Sequence, residues 1–308
     1  MTRMQQPEQV IRDIPSDISQ MSRFDLIYLL EKMQQQQQEL ERQNQHLKNA
    51  LVKIDKDLSA ARDAQMSLLP KELRGVQPIT FRARFFPSQY VSGDIYNIFR
   101  LDENNIGLYH IDISGHGVPA ALFSVSLSQI LNTNVSQKNL LKIPVQEPPY
   151  YKINPPDQVI AALNEDHYLD KLGIYFTMLY MIIDIKNNRI RYTRAGHNPP
   201  IIVRQNGHIE IPKSGGLPVG LDFPREDTVV ELDMEKGDRV YLYSDGINEA
   251  VNESDEQYST ARIVNIVDKN RALPLDDVLD RLISDVKSFT GRESIEDDIS
   301  LIGLSFNG

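Results

Sequence analysis

The sequence predicts an α+β fold, in which helices cover antiparallel β-sheets, preceded by a long N-terminal helix. From about Thr80 onward, short apolar runs are separated by glycine, proline and Asn/Asp turns, which is typical of strands. Several runs follow one another with only a tight turn between them, as at DIKNNRIRYT, which favours antiparallel pairing over βαβ units. Between Phe24 and Leu69, by contrast, there is neither glycine nor proline, and apolar residues recur every seven positions.

Residues 21–70 are predicted to form a coiled coil that dimerises the chain and regulates it. Its inner positions form two series over about six heptads: Leu26, Met33, Leu40, Leu47, Ile54, Ala61 and Leu68, and Leu30, Gln37, Asn44, Leu51, Leu58 and Gln65. A lone helix cannot bury such a stripe, so we predict a parallel homodimer in which Asn44 fixes the register. The alternative is a single amphipathic helix folded back on its own globular domain. The polar inner residues predict a weak coil, which suits a switch, and residues 1–20 are predicted to be a flexible tail.

The globular part is predicted to contain eight strands and four helices. The predicted strands cover residues 79–86, 94–101, 106–113, 175–185, 189–194, 201–204, 239–243 and 299–306. The predicted helices cover residues 119–131, 156–171, 260–269 and 275–290. The proline-rich segment 142–157 is predicted to be a surface excursion.

Composition excludes several classes of function. The 308 residues are 41% hydrophobic, enough for one sizeable core plus an extension. The net charge of −10 argues against nonspecific binding to nucleic acid or to a membrane surface, so neither is expected as a partner. The absence of cysteine excludes disulfides, zinc–thiolate sites and cysteine nucleophiles. No apolar run is long enough to cross a membrane and the start lacks the apolar part of a signal peptide, so a soluble cytoplasmic protein is expected.

Acidic residues lie at the ends of predicted strands. Asp112 ends the run IGLYHI and precedes ISGHG, Asp245 follows VYLYS, Asp297 and Asp298 precede the last strand, and Asp94 follows a glycine in VSGDIYN. Any one of them alone is better explained as a turn cap. Together, converging carboxylates repel one another unless a cation lies between them. Oxygen ligands favour Mg²⁺ or Mn²⁺, and a pair of such ions is suited to phosphoryl transfer.

Five motifs occur in order: GD-x₁₇-DISGHGVPAAL, RAGHNPP, GLPVGL, YSDGINEA and DDISL. Over about residues 64–306 the chain resembles the bacterial metal-dependent Ser/Thr phosphatases of the PPM superfamily, in the RsbU and SpoIIE branch. The resemblance implies a sandwich of two antiparallel β-sheets flanked by helices, with the phosphatase domain over residues 75–308. It also implies two Mn²⁺ or Mg²⁺ ions at one edge of the sandwich.

The resemblance also implies which residues hold the ions and act catalytically through a metal-activated water. These are Asp94, Asp112, the backbone carbonyl of Ile113, Asp245 and Asp297. Asp112 would bridge both ions, and Asp298 is the alternative to Asp297 if the register differs by one.

Two features depart from the family pattern. Related sequences often read GGDYYD where this chain reads SGDIYN, with Ser92 for glycine and Asn97 for aspartate. His116 follows the bridging aspartate by four residues, whereas the histidine of eukaryotic relatives follows it by two. A role for His116 as proton donor to the leaving oxygen is therefore less favoured than a role in fixing the turn. A hairpin-fixing role is likewise favoured for His197 in RAGHNPP.

The function that the resemblance implies is that of a metal-dependent protein serine/threonine phosphatase, a phosphoric monoester hydrolase. Its expected substrate is a phosphorylated STAS-type anti-sigma-factor antagonist in a partner-switching stress-response pathway. An activating protein is expected to bind the N-terminal region. The alternatives are a catalytically silent coiled-coil scaffold that binds a signalling partner through a phosphatase fold, and hydrolysis of a small phospho-compound at the same metal centre.

Overall fold

The computed structural model describes residues 21–70, 79–135, 139–165, 173–221, 223–224, 226–291 and 297–307. The predicted tail, residues 1–20, lies outside the described residues, as does the end of the predicted helix 156–171. The chain divides into two compact units, Met1–Ser59 and Ala60–Gly308. Within the described residues, no helix combines the length and the apolar character that crossing a membrane requires.

Helix α1, Arg23–Leu68, has 46 residues. It begins in the first unit and ends in the second, past Ser59. Its start is a capping box: the Ser22 backbone N–H and hydroxyl donate to the Asp25 carboxylate at 3.1 and 2.6 Å, and the Asp25 N–H donates to the Ser22 Oγ at 3.3 Å. The leucines, methionine and isoleucine at predicted inner positions 30, 33, 40, 47, 51 and 54 are all more than half exposed. A long helix with this unburied stripe is consistent with a coiled coil, and the homodimer remains a prediction.

The second unit contains twelve described strands and five further described helices. The strands are β1 Ile79–Phe86, β2 Ile95–Arg100, β3 Asn105–Ile113, β4 Lys142–Pro144, β5 Tyr151–Ile153, β6 Phe176–Asp184, β7 Arg189–Ala195, β8 Ile201–Val203, β9 Ile209–Glu210, β10 Val230–Asp233, β11 Arg239–Tyr243 and β12 Ile299–Phe306. The helices are α2 Val118–Ile130, α3 Pro156–Asn164, α4 Asp245–Asn248, α5 Ser259–Lys269 and α6 Leu275–Thr290.

Ten of these strands form two five-stranded sheets whose paired strands are antiparallel. The strand orders are β1-β12-β11-β8-β9 and β10-β7-β6-β3-β2. Inward-facing side chains of both sheets share one core, with Leu242 and Ile302 from the first sheet and Leu108 and Met181 from the second fully or almost fully buried. The two sheets therefore pack face to face, as the resemblance implies.

Helices cover both outer faces of this sandwich. Helices α5 and α6 lie on the first sheet, where Leu279 and Leu282 join Tyr241, Tyr243 and Leu301 in a second buried cluster. Helices α2 and α3 cover the second sheet, where Phe123 contacts Phe176. The α+β prediction with antiparallel sheets is confirmed by this arrangement.

The strands missed by sequence reasoning are short, and they lie at the edges of the two main sheets or outside these sheets. Strands β4 and β5 form a separate two-stranded sheet within the segment predicted as an excursion, and β9 and β10 are edge strands. Ile143, Val145 and Tyr150 of that segment are exposed, so little apolar patterning marked it.

Candidate metal centre

One edge of the sandwich contains a pocket of about 290 Å³. It is lined by Asp112, Ile113, Ser114, Gly115, His116, Tyr175, Phe176, Thr177, Asp245 and Asp297. Three of the predicted ligand carboxylates, together with Ile113, thus meet in one cavity although they lie far apart in the sequence. Each comes from a different segment: the end of β3, the start of α4 and the entry to β12.

The turn after β3 places the first carboxylate. Asp112 is the penultimate residue of β3 and lies opposite Thr177 of β6. Gly115 and Gly117 follow with φ of 88° and 78°, in the left-handed region that glycine enters without a steric cost. The chain reverses at once into α2, which begins at Val118. Strand β3 therefore delivers the carboxylate to the cavity edge, and the two glycines keep the following backbone beside it.

A close approach of two backbones places the other two carboxylates. Asp245 begins α4 immediately after β11, and a Cβ atom added to Gly246 would lie 2.1 Å from the backbone oxygen of Asp298. Only glycine fits there. This contact brings the Asp245 segment against the Asp297 segment, so both side chains reach the same pocket.

The pocket concentrates negative charge. Burial, followed by the charges of Asp245 and Asp297, raises the pKa of Asp112 to about 8, and Asp112 is hydrogen-bonded to Asp245. Burial and the charge of Asp297 also raise the pKa of Asp245. No lysine or arginine is among the described residues that line the pocket. The ionised carboxylates are therefore costly unless a cation compensates them.

Asp94 is buried and does not line this pocket. It precedes β2, is 2% exposed, and accepts a hydrogen bond from the Ser300 hydroxyl at 2.5 Å. Burial and then the charge of Asp112 raise its pKa well above the ordinary range. Asp94 thus interacts electrostatically with Asp112 from the buried side.

Asp297 and Asp298 are adjacent but differ in environment. Asp297 is exposed and lines the pocket. Asp298 is buried, and its two oxygens accept four hydrogen bonds of 2.6–2.9 Å from the Ser88 N–H and hydroxyl, the Ser92 hydroxyl and the Gly93 N–H. Asp298 therefore anchors the loop that precedes Asp94, and this geometry favours Asp297 as the ligand.

The residues that departed from the family pattern have defined positions. Asn97 lies on β2, where its side-chain oxygen accepts from the Ile98 N–H at 2.8 Å, and it does not line the pocket. His116 does line the pocket, and its Nδ1 lies 2.9 Å from the Gln89 amide nitrogen. Ser92, in place of a glycine, hydrogen-bonds both Asp298 and the Asp94 N–H, so the substitution adds support to the loop.

Sequence reasoning missed several buried polar residues around the centre. Gln65, assigned to the coil seam, is 4% exposed and exchanges hydrogen bonds with the Ser92 backbone at 2.7 and 3.0 Å, so that assignment is wrong. Its amide also donates to Ser124 at 3.2 Å. His110, fully buried in the core, was not considered at all. A polar residue on an otherwise apolar face was the available signal in both cases.

The donor set fits hard divalent cations. Every side chain and carbonyl proposed as a ligand offers oxygen, which Mg²⁺ and Mn²⁺ prefer. The raised carboxyl pKa values mark sites where a bound cation would relieve repulsion. Among the described residues, no three His, Cys, Asp or Glu side chains already lie in a metal-coordinating arrangement. The hydrogen bond between Asp112 and Asp245 would have to open for ions to bind.

Residues 102–307, more than half of the chain, match the family model of stage II sporulation protein E, SpoIIE. The chain belongs to the SpoIIE family. Its similar relatives include two Bacillus subtilis proteins named phosphoserine phosphatases. RsbP is 26% identical over 62% of this chain and 45% of its own length, and RsbU is 25% identical over 69% of this chain and 59% of its own length. The chain spans about half the length of the curated relatives it matches.

Solved structures share the fold of this SpoIIE-family chain. The SiaA-PP2C domain of Pseudomonas aeruginosa aligns with a TM-score of 0.67 at 18% identity, covering 84% of this chain and 99% of that one. The catalytic domain of the serine/threonine phosphatase PstP, solved with two manganese ions, aligns with a TM-score of 0.50 at 14% identity, covering 75% of this chain and 99% of that one. At these identities the likeness establishes the PP2C phosphatase fold.

Proposed function

We propose that this SpoIIE-family chain is a metal-dependent phosphatase that hydrolyses phosphoserine or phosphothreonine on a protein. The observation that carries the proposal is the pocket in which Asp112, Asp245 and Asp297 meet without a compensating basic residue among its described lining. Phosphoserine phosphatase is the printed name of two relatives, which supports the reaction class. The two manganese ions in PstP support the kind of cofactor.

Two Mn²⁺ or Mg²⁺ ions would supply an activated water and neutralise the charge of the phosphate. In this proposal Asp112, Asp245 and Asp297 would hold the ions, and the Ile113 carbonyl would add a neutral ligand. Asp94 completes the set from the buried side. The carboxylates position the ions and form no covalent intermediate, because the nucleophile is water.

His116 is the pocket residue best placed to meet a leaving oxygen. It lines the cavity beside Asp112, and Gln89 holds its Nδ1 at 2.9 Å. If the Gln89 amide donates to Nδ1, the ring proton lies on Nε2, which would face a substrate. This proton would be available to a serine alkoxide as it departs. The contact with Gln89 equally supports the turn, so both roles are compatible with one geometry.

For the substrate, we propose a phosphorylated STAS-type anti-sigma-factor antagonist in a partner-switching pathway. Support comes from the resemblance to the RsbU branch and from a solved fold neighbour that carries RsbU and RsbW domains in one chain, aligned with a TM-score of 0.55. An activating protein would bind the N-terminal region.

For regulation, we propose that a homodimeric coil controls the centre through the last turns of α1. The exposed apolar stripe of α1 supports association. The buried contact of Gln65 with Ser92 supports transmission, because Ser92 in turn holds Asp298 and the Asp94 N–H. Gln65→Glu removes the amide donor to the Ser92 carbonyl, and its effect on turnover, measured beside Gln45→Glu on the exposed part of α1, tests this route.

The reaction is tested by hydrolysis of p-nitrophenyl phosphate with Mn²⁺, Mg²⁺ or EDTA. The full chain and Asp112→Asn are assayed together, with Asp277→Asn at the exposed start of α6 as the matched control. Activity that needs Mn²⁺ or Mg²⁺, persists in the control and disappears in Asp112→Asn is expected. Activity that survives in EDTA or in Asp112→Asn would reject the metal mechanism.

A catalytically silent scaffold is the second candidate. It predicts Mn²⁺ binding or partner binding without hydrolysis of either p-nitrophenyl phosphate or a phosphoprotein. The enzyme is favoured because three of the expected acids line one pocket and Asp94 interacts electrostatically with Asp112. Comparison of a phosphoserine protein with nucleoside phosphates as substrates separates a protein phosphatase from hydrolysis of a small phospho-compound.

A further inference from the structure

A continuous line of hydrogen bonds runs through the core from the pocket wall to Asp94. The Thr177 hydroxyl lies 2.8 Å from Nδ1 of His197, and Nε2 of His197 lies 3.0 Å from Nδ1 of His110. Nε2 of His110 then lies 2.6 Å from the hydroxyl of Ser300, which donates to Asp94. We name these five residues the histidine chain. It crosses between the two sheets, from β6 through β3 to β12.

Both imidazoles of the histidine chain are buried and neutral. His110 is 0% exposed and His197 is 2% exposed, with ring centroids 4.4 Å apart in an edge-on arrangement. Burial lowers the pKa of His197 to about 3, and burial followed by the neighbouring His197 lowers the pKa of His110 well below its usual range. A neutral imidazole has one donor and one acceptor nitrogen, so each ring can join only one donor and one acceptor partner in line.

A carboxylate must be deprotonated to bind a metal ion, so Asp94 would be ionised in the metal-loaded chain, and the direction of every bond would then follow. The Ser300 hydroxyl uses its only proton to donate a hydrogen bond to the Asp94 carboxylate. Toward His110 it must therefore accept a hydrogen bond, from Nε2–H. Nδ1 of His110 is then bare and accepts from His197 Nε2–H, and Nδ1 of His197 accepts from the Thr177 hydroxyl. Both histidines are therefore Nε2–H tautomers. No donor faces a donor anywhere along the histidine chain.

We propose that His110 and His197 are positioning residues for Asp94, which act through Ser300 to hold its carboxyl group in one orientation beside the proposed metal centre. The proposal rests on the proposed metal site. Buried networks that are fully satisfied are rigid, whereas removal of one member leaves the others without partners. A carboxylate held in this way is ready to face a cation without reorganisation.

Local structure explains how His197 reaches this place. Gly196 has φ of 68°, and a Cβ atom added there would lie 2.5 Å from Pro218. The chain leaves β7 at this glycine, and Arg194 donates to the His197 carbonyl at 2.6 Å. The same turn places Asn198, whose amide donates to Asn248 of α4 at 2.9 Å. The RAGHNPP segment thus contacts His110 on β3, the strand of Asp112, and Asn248 on α4, the helix of Asp245.

The first experiment determines the tautomers in the native full-length chain loaded with Mg²⁺. Long-range ¹H–¹⁵N correlation spectra distinguish Nε2–H from Nδ1–H imidazoles, and His110→Gln and His197→Gln assign the signals. Nε2–H on both buried rings is expected. An Nδ1–H tautomer or a charged ring at either position would overturn the proposal, and this result needs no variant to be active.

The second experiment measures Mn²⁺ affinity by electron paramagnetic resonance of the free ion. Ser300→Ala, which cuts the histidine chain next to Asp94, is expected to weaken binding about 10- to 100-fold, as is usual for groups that orient metal ligands. Ser300→Thr retains a hydroxyl and should recover most of the affinity. Ser305→Ala on the same strand is the control and should bind as the native chain does.

A double-mutant cycle separates positioning from general stability. Adding His197→Phe to Ser300→Ala should weaken Mn²⁺ binding no further, because the chain is already interrupted. Additive losses would mean that His197 acts by another route and would reject the proposal. Circular dichroism and melting identify any variant that fails to fold, in which case the tautomer result decides. If the native chain binds no Mn²⁺, the proposed function fails, whereas equal binding by native chain and Ser300→Ala rejects this proposal alone.

Discussion

Helix α1 in the first unit and the sandwich in the second unit bury their apolar residues in different ways. In the first unit, Leu40 and Leu47 are each 59% exposed. In the sandwich, side chains of the same kind, such as Leu108 and Leu279, are 0% exposed. The sandwich supplies its own core, whereas the described residues of the sandwich do not cover the stripe of α1, which is the pattern expected of a helix that associates. The sandwich is therefore stabilised by its own folding, whereas the predicted homodimer would bury the stripe of α1.

The polar groups follow the same division. The described side-chain hydrogen bonds of α1 before Ser59 join residues three or four apart on exposed faces, as between Gln37 and Glu41. The second unit has exposed local bonds as well, but it also has buried bonds between residues far apart in sequence, such as Ser92 and Asp298. Buried long-range bonds help to specify one structure, whereas exposed local bonds contribute little to stability.

The largest expected effect is on association. Leu40→Lys together with Leu47→Lys places charges on the predicted seam, and at about 2 kcal/mol per leucine removed from each helix the dimer should weaken by several orders of magnitude. Sedimentation of the full chain measures this, and the melting of the second unit should not change. Gln35→Lys with Asn49→Lys, at two outer positions, is the control. A monomeric native chain would refute the dimer.

The next effect is the pH dependence of the metal-free sandwich. Since the pKa of Asp112 is raised to about 8, the folded chain keeps a proton that the unfolded chain releases near its ordinary value. The unfolded state binds fewer protons over this window, so stability falls as pH rises from about 4 to 8, by at most about 1.4 kcal/mol per pH unit for one proton.

Melting in EDTA between pH 5 and 8 measures this slope. Asp112→Asn should reduce this slope and Asp277→Asn should not. Added Mg²⁺ should restore stability at pH 8 in the native chain, because a cation compensates the ionised pocket. A native profile that rises with pH in EDTA would contradict the assigned cause.

Sequence patterning predicted the strands that matter because inward and outward residues alternate on them. Strands β1, β11 and β12 lie where the apolar runs placed them, and the carboxylates Asp112 and Asp245 could be located from their strand-end context. Patterning could not separate Asp297 from Asp298, because both directly precede β12 and their difference in burial depends on the distant contacts of Asp298 with Ser88 and Gly93. It also could not pair His110 with His197, since their contact depends on how the two sheets pack.

A smaller effect separates those two adjacent aspartates. Each oxygen of Asp298 accepts from a backbone N–H, at Ser88 or Gly93, so Asp298→Asn must place its amide NH₂ against a donor. A loss of about 2–3 kcal/mol in the free energy of unfolding is expected. Asp297→Asn should change stability little, since Asp297 is exposed, while weakening Mn²⁺ binding. Urea unfolding and Mn²⁺ titration of both variants measure the contrast, and a reversed order would make Asp298 the ligand.

The smallest effect concerns a partly buried ion pair at the far end of the first sheet. Arg204 donates to Glu210 at 2.6 Å and to Asp238 at 2.8 Å, and the bond to Arg204 lowers the pKa of Glu210. A lowered carboxyl pKa stabilises the fold above its unfolded value of about 4.5, and this stability is lost as pH falls through the folded pKa. Because Glu210 is partly exposed, Glu210→Gln should cost below about 1 kcal/mol at pH 6 and nothing near pH 3.

Differential melting of native chain and Glu210→Gln at the two pH values checks this. Glu41→Gln, which changes an exposed local contact of α1, should leave melting of the second unit unchanged at both pH values. If Glu210→Gln cost the same at pH 3 as at pH 6, packing of the side chain and not its charge would account for the loss. Glu210 would then stabilise this edge of the sheet through the packing of its side chain, as the apolar core residues do, and the ion pair with Arg204 would contribute little.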